Sequence, residues 1–215
     1  MNKIKMNKIK MNKIDLNKEK KKNDLLSSAY ELFTTIGVEN TTITQIARKA
    51  KVGKGTFYLY FQDKYDIRNA LISIKTNEIF QEAMKSLNDF CNNTSEKLSV
   101  SDKFIYITDY IITKLSKDIA LLKYISKNLS WGLYSTPAFQ SDEKEELIDF
   151  KTFTMSMLEK DGVSLKNFDM TIFTIVELIN STCYNVILNG DPITFSDYKP
   201  YLFRCIRLII NDSIA

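Results

Sequence analysis

"TTITQIARKAKVGKGTFYLYF", residues 41–61, decides the fold. Its second half sets four rings, Phe57, Tyr58, Tyr60 and Phe61, behind two lysines and two glycines. On a helix turning about 100° per residue, Phe57 and Phe61 lie within about 40° of each other and point inward. Tyr58 and Tyr60 fall on the flanks, where the rings pack and the hydroxyls reach outward. Lys54, Gly55 and Thr56 form the first turn ahead of them, and Gly55 lets the backbone come close to a surface.

The first half supplies a second short helix. Thr41 and Thr42 offer N-cap hydroxyls. A helix over 43–50 follows, with Ile46, Ala47 and Ala50 inward. "KVG" breaks it, and the ring-bearing helix spans 54–61. Two short helices joined by a tight turn, the second beginning with small polar residues, describe a helix-turn-helix. The second helix of such a unit enters the DNA major groove and the first crosses the backbone.

Outward from this centre the helical periodicity continues. Leu25, Leu26, Ala29, Leu32, Phe33 and Ile36 make one apolar face, and Gly37 stops that helix. Asp63 is placed to cap a long helix over 64–90. "NNTSEKLSVSD" (92–102) reads as a loop. Further helices are expected near 102–116, 118–134, 141–160, 167–189 and 197–212, separated by turn-forming Gly, Pro, Asn, Asp and Ser. The fold class is all-α, an N-terminal three-helix helix-turn-helix domain followed by a larger helical domain.

The chain opens "MNKIKMNKIKMNKID", a five-residue period that suits neither helix nor strand. Residues 1–16 are therefore expected to be a disordered basic arm, 17–64 the helix-turn-helix domain and 65–215 the second domain. Charge divides in the same place. Residues 1–64 hold 14 Lys/Arg and 6 Asp/Glu, a net of +8, whereas 65–215 hold 16 and 20, a net of −4. The front of the chain is suited to a polyanion, nucleic acid first.

Composition excludes other chemistries. With no histidine, the commonest general base and transition-metal ligand are missing. Cys91, Cys183 and Cys205 are far apart and odd in number, against a zinc site or a disulfide framework. No catalytic residue, metal or cofactor is expected, and the chain is read as no enzyme. No purely apolar stretch reaches the roughly 18 residues of a membrane span, and the lysine-rich start lacks the apolar region of a secretory signal. The reading is cytoplasmic, with no membrane partner.

"LLSSAYELFTTIGVENTTITQIARKAKVGKGTFYLYFQDKYDI" resembles the DNA-binding segment of TetR-family transcriptional repressors over about residues 24–67. The matched positions include Ala29, Leu32, Phe33, Gly37, Thr42, Ile46, Ala47 and the run from Gly55 to Lys64. The resemblance implies that Thr44 contacts backbone or a base edge and that Lys54, Gly55 and Thr56 face the groove. It also implies that Tyr58, Tyr60 and Lys64 bind phosphates. Base choice would rest on Lys54 and Thr56, since lysine reads guanine and a threonine methyl touches thymine. Two positions depart from the family pattern. Lys51 stands where glycine is usual, at a cost of about 1 kcal/mol if the site requires positive φ, and Gly53 replaces the usual serine cap.

The resemblance implies a second domain that dimerises and holds a small-molecule effector. In the last helix Tyr201, Leu202, Phe203, Cys205, Ile206, Leu208, Ile209 and Ile210 surround nearly the whole axis, which calls for partners on all sides. With the preceding helix it could form a four-helix homodimer interface. Tyr110, Tyr124, Trp131, Phe153, Phe173 and Glu177 are the pocket candidates. Glu177, the sole charge in 170–188, either meets a cationic ligand or bonds within the protein. The whole is read as a ligand-released repressor that binds a palindromic double-stranded DNA operator as a homodimer. The alternative is a helical binding module whose basic arm meets a membrane or another polyanion. That arm lacks the apolar face insertion needs.

Overall fold

Thr42 starts the decisive segment as expected. In the computed structural model, which describes residues 13–94, 97–125, 132 and 150–215, its side chain accepts from the Gln45 amide at 3.2 Å. The Gln45 side chain accepts from the Thr42 amide at 2.8 Å. This reciprocal capping box satisfies two donors that a helix start leaves open. The helix it opens is α2, Ile43–Lys49. Before it lies α1, Lys13–Thr35, which buries Leu25, Leu26, Ala29 and Phe33. Gly37 follows at φ 85°, a backbone conformation that a side chain would strain, and the chain turns there. Thr41, 1% exposed, closes the loop by donating to the Gly37 carbonyl at 2.7 Å.

The short helix α3 is Lys54–Tyr58. It ends earlier than residue 61 because Leu59 and Tyr60 bond to the carbonyls three residues back, at 3.3 and 3.0 Å, tightening the last turn. Asp63 caps α4, Lys64–Asn93, by accepting from the Tyr65 and Asp66 amides at 2.7 and 2.9 Å. The basic stretch departs from expectation. Residues 13–16, read as part of a disordered arm, belong to α1, since nothing from Lys13 to Thr35 is Gly or Pro to stop the helix propagating toward the N-terminus. Residues 1–12 lie outside the described residues.

Backbone contacts divide the chain into two units, 1–68 and 69–215. The second holds most of α4 with α5 (Val100–Lys117), α6 (Ile119–Ile125), α7 (Phe150–Lys160), α8 (Phe168–Asn189) and α9 (Phe195–Ser213). Helix α5 starts two residues ahead of expectation because Ser99 caps it, accepting from the Asp102 amide at 3.2 Å. Most of the stretch between α6 and α7 lies outside the described residues. Among the described residues there is no strand, only an isolated bridge between Leu165 and Ile214.

Ile72, Phe80, Ile112, Ile125, Ile172, Leu202 and Ile206 are among the most deeply buried large side chains of this unit. Each contributes about 1.5–3 kcal/mol through burial. Helix α9 packs on α5 and α8. Arg207 pairs with Asp102 at 2.7 Å, joining α9 to α5, and Lys103 pairs with Asp161 at 2.6 Å, joining α5 to the turn after α7. Within the chain α9 buries one side only. Leu202, Ile206 and Ile210 face inward while Tyr201 and Leu208 are 53% and 64% exposed, so the expected burial on all sides is not met within the chain. Helix α8 is apolar and long enough, by composition and length, to cross a membrane. Its buried Ile172, Ile175, Val176 and Ile179 instead pack in the core of the bundle.

Candidate DNA-binding surface

The surface is built by α3 and its anchors. Phe57 and Phe61 are 0% and 2% exposed, with ring centroids 5.7 Å apart. They fix the rotation of a five-residue helix that could not hold itself. With that side buried, the Lys54–Gly55 start faces solvent, Thr56 is half-buried beside it, and Tyr58 and Tyr60 occupy the flanks. Tyr58 is half exposed and meets the Phe57 ring edge-on at 5.6 Å. Thr44, on the first turn of α2, is exposed as well.

Gly55 carries information that the fold does not explain. A Cβ built there meets nothing within 4 Å, and its φ is not positive. Folding therefore demands neither the space nor the backbone freedom of glycine at this position. Lys51, in contrast, takes φ 55°, so the turn places a lysine in left-handed backbone. Gly53 caps α3 with extended backbone and no side-chain bond.

Lys64 is differently occupied from what the sequence alone suggests. Its Nζ donates to the carbonyls of Val38 and Glu39, each at 3.0 Å, and lies 3.8 Å from the Glu39 carboxylate. Tyr65 donates to the same carboxylate at 3.1 Å, which pushes its phenol above its ordinary value. The start of α4 is thereby clipped to the loop before α2. An ammonium has three N–H donors, and the Val38 and Glu39 carbonyls take two of them. Sequence reasoning passed over Leu59, 79% exposed between the two tyrosines. An apolar residue at a position where the helix face turns outward was the available signal.

In the second unit, a cavity of about 50 Å³ lies between α4, α5, α7 and α8, with Thr76, Phe80, Ile107, Phe150, Ile175 and Val176 among its walls. The pocket candidates that fall among the described residues are not in its lining. Tyr110 donates to Glu82 at 3.3 Å, and burial with that carboxylate raises its phenol. Tyr124 is buried away from the cavity lining. Phe153 stands behind the wall, edge-on to Phe80 at 5.9 Å. Phe173 is half exposed and Glu177 half-buried, because the cavity takes 172, 175, 176 and 179, the neighbouring stripe of α8. Trp131 lies outside the described residues. The signal that was missed is three threonines, Thr76, Thr108 and Thr154, at core positions of three helices.

The profile of "Bacterial regulatory proteins, tetR family" matches residues 25–71. An HTH-type transcriptional regulator of Staphylococcus aureus (strain USA300) is 30% identical over 176 residues, 82% of this chain and 86% of that protein. The HTH-type transcriptional regulator HbdR of Aromatoleum sp. (strain CIB) is 28% identical over 142 residues, 66% of this chain; the match spans 56% of HbdR. Among solved structures, a TetR-family regulator from Syntrophomonas wolfei superposes with a TM-score of 0.57 at 19% identity, covering 90% of this chain and 96% of that one. The transcriptional regulator FadR of Bacillus subtilis, solved in complex with stearoyl-CoA, gives 0.54 at 15% identity, covering 86% and 97%. These two show the fold. The match across nearly the whole staphylococcal regulator, together with the profile over the helix-turn-helix, makes this chain a member of the tetR family, the DNA-binding regulators of bacterial transcription.

Proposed function

We propose that the protein is an effector-released repressor that binds a palindromic operator as a cytoplasmic homodimer. The observation that carries the DNA reading is the bare tip at Gly55, where glycine serves no need of the free protein. A close approach to duplex DNA supplies that need. In this reading Lys54 bonds guanine and the Thr56 methyl meets thymine. Thr44 touches backbone or a base edge, Tyr58 and Tyr60 bond phosphates, and Lys64 adds its third donor. The two units of the chain then correspond to a DNA-binding and an effector-binding domain.

Dimerisation is supported by the exposed stripe of α8 and α9, including Met170, Phe173, Tyr201 and Leu208. Two copies of these helices bury one another as a four-helix interface, and two-fold symmetry passes to the operator. An effector in residues 69–215 releases DNA only if it prefers the conformation that does not bind. Helix α4 starts in the first unit and continues through the second, so it is the element that conveys the preference.

Selection of duplexes from a random pool, followed by sizing of the complex, tests the reading. Enrichment of an inverted repeat bound by two protomers is the expected result. An enriched site without internal symmetry, or a single protomer per duplex, refutes the homodimeric operator.

A further inference from the structure

Leu59, at the end of α3, is the most exposed of the large apolar side chains among the described residues, at 79%. A single leucine in water needs no explanation by itself, so its direction decides whether it has a task. Its backbone is helical, with φ −73° and ψ −21°, and its amide donates to the Thr56 carbonyl at 3.3 Å. Phe57 and Phe61, two positions to either side, are anchored in the core. Leu59 therefore cannot turn inward. At about 100° per residue it stands about 160° from Phe57 and about 40° from Gly55, one turn further along the same outer face.

That face begins bare, since a Cβ at Gly55 meets nothing within 4 Å. Lys54 beside it is exposed, and residues 1–64 carry a net charge of +8. A polyanion drawn to the face meets lysine first and leucine one turn on. Most of what a duplex displays in its major groove is amino group, carbonyl or ring nitrogen. An aliphatic side chain laid on those groups strips them of water and bonds none of them. The C5-methyl of thymine is the apolar exception.

We infer that Leu59 is a specificity-determining residue that packs on a thymine C5-methyl in the major groove. The inference rests on the placement of α3 in the groove proposed above, and adds to it a base preference carried by hydrocarbon alone. Thr56 lies about 60° round the axis and about 4.5 Å along it, and it is half-buried, so the two side chains address different thymines. The leucine contact forms no hydrogen bond. It discriminates because thymine offers a methyl group where cytosine offers an unsubstituted C5 beside an amino group.

The duplex selected from the random pool supplies the probe. Each thymine is replaced in turn by deoxyuridine, which removes the C5-methyl and keeps every hydrogen-bonding group. Fluorescence anisotropy of the full chain reads the affinity for the wild type, Leu59→Ala, Leu59→Met and Thr56→Ser. Leu59 lies outside the core, so its variants fold, and thermal unfolding checks that they do. One thymine is expected whose replacement weakens wild-type binding about fourfold, the size of one methyl-sized group withdrawn from apolar contact. At that thymine the penalty disappears in Leu59→Ala and persists in Leu59→Met and Thr56→Ser. A penalty at no thymine, or penalties that Leu59→Ala leaves unchanged throughout, overturns the proposal. A parallel duplex carries 7-deazaguanine for guanine, which removes the N7 acceptor from the groove. Weaker binding of that duplex without any uracil penalty sinks the Leu59 contact alone. Binding indifferent to both replacements sinks the placement of α3 in the groove as well.

Discussion

The Lys64 ammonium donates to the Val38 carbonyl at 3.0 Å, joining the first residue of α4 to the loop before α2 across 26 positions of sequence. The same ammonium holds the Glu39 carbonyl. It braces the loop that leads into the helix-turn-helix. Lys64→Met is expected to cost about 1.5–3 kcal/mol in urea unfolding, the range for hydrogen bonds that involve a charged group. The slope of log affinity against log salt should also fall by about 1 if the third donor meets a phosphate. A stability loss with an unchanged salt slope assigns Lys64 to the brace alone.

Gly55→Ala separates folding from recognition. The new methyl meets nothing in the free protein, and alanine in place of a helical glycine adds about 0.5–1 kcal/mol of stability. In the proposed complex the same methyl stands between the tip of α3 and duplex DNA. Thermal unfolding should rise by a few degrees while anisotropy titrations with the selected duplex lose at least about tenfold in affinity. Undiminished DNA binding would falsify the assignment of Gly55 to the groove.

Lys51 pays a conformational cost in the turn between α2 and α3, at φ 55°. Lys51→Gly removes the Cβ clash, worth roughly 1 kcal/mol; the added freedom of glycine in the unfolded chain offsets part of it. The unfolding midpoint in urea should move up with m unchanged. A drop in stability means that the lysine side chain contributes more than its backbone loses.

Acid should weaken the second unit through Asp102. The Ser99 hydroxyl bonded to this carboxylate holds it below the ordinary carboxylate range; partial burial opposes that shift, and the Arg207 guanidinium at 2.7 Å adds to it. A depressed folded value means the stabilisation is fully present above about pH 4, the ordinary value for an aspartate, and is lost as pH falls through the lower folded value. In a series of urea midpoints from neutral to acid pH, Asp102→Asn should show a shallower decline below about pH 4 than the wild type. Parallel curves for the two proteins count against a role for this carboxylate.

The helix-turn-helix was legible because local rules agree there. Thr42 with Gln45, the inward Phe57 and Phe61, and Asp63 ahead of α4 each announce a boundary or a face within a few residues. Lys64 was legible by type and not by partner, since its carbonyl acceptors lie 25 and 26 residues away and carry no side-chain signal. The cavity was hidden for a related reason. Four helices must pack before Phe80 and Ile175 face one space, and aromatic residues such as Phe173 and Tyr110 look like lining until the packing turns them elsewhere. The start of α1 was misjudged because a five-residue repeat lacks an apolar stripe, whereas helix propagation needs only the absence of a breaker.

The walls of the cavity in the second unit come from α4, α5, α7 and α8, each lending a few side chains. The space is a shared neighbour of four rods and belongs to none of them. Its girth is set by all four together, so shifting any one rod reshapes it, and trimming one wall leaves three others to hold the rest.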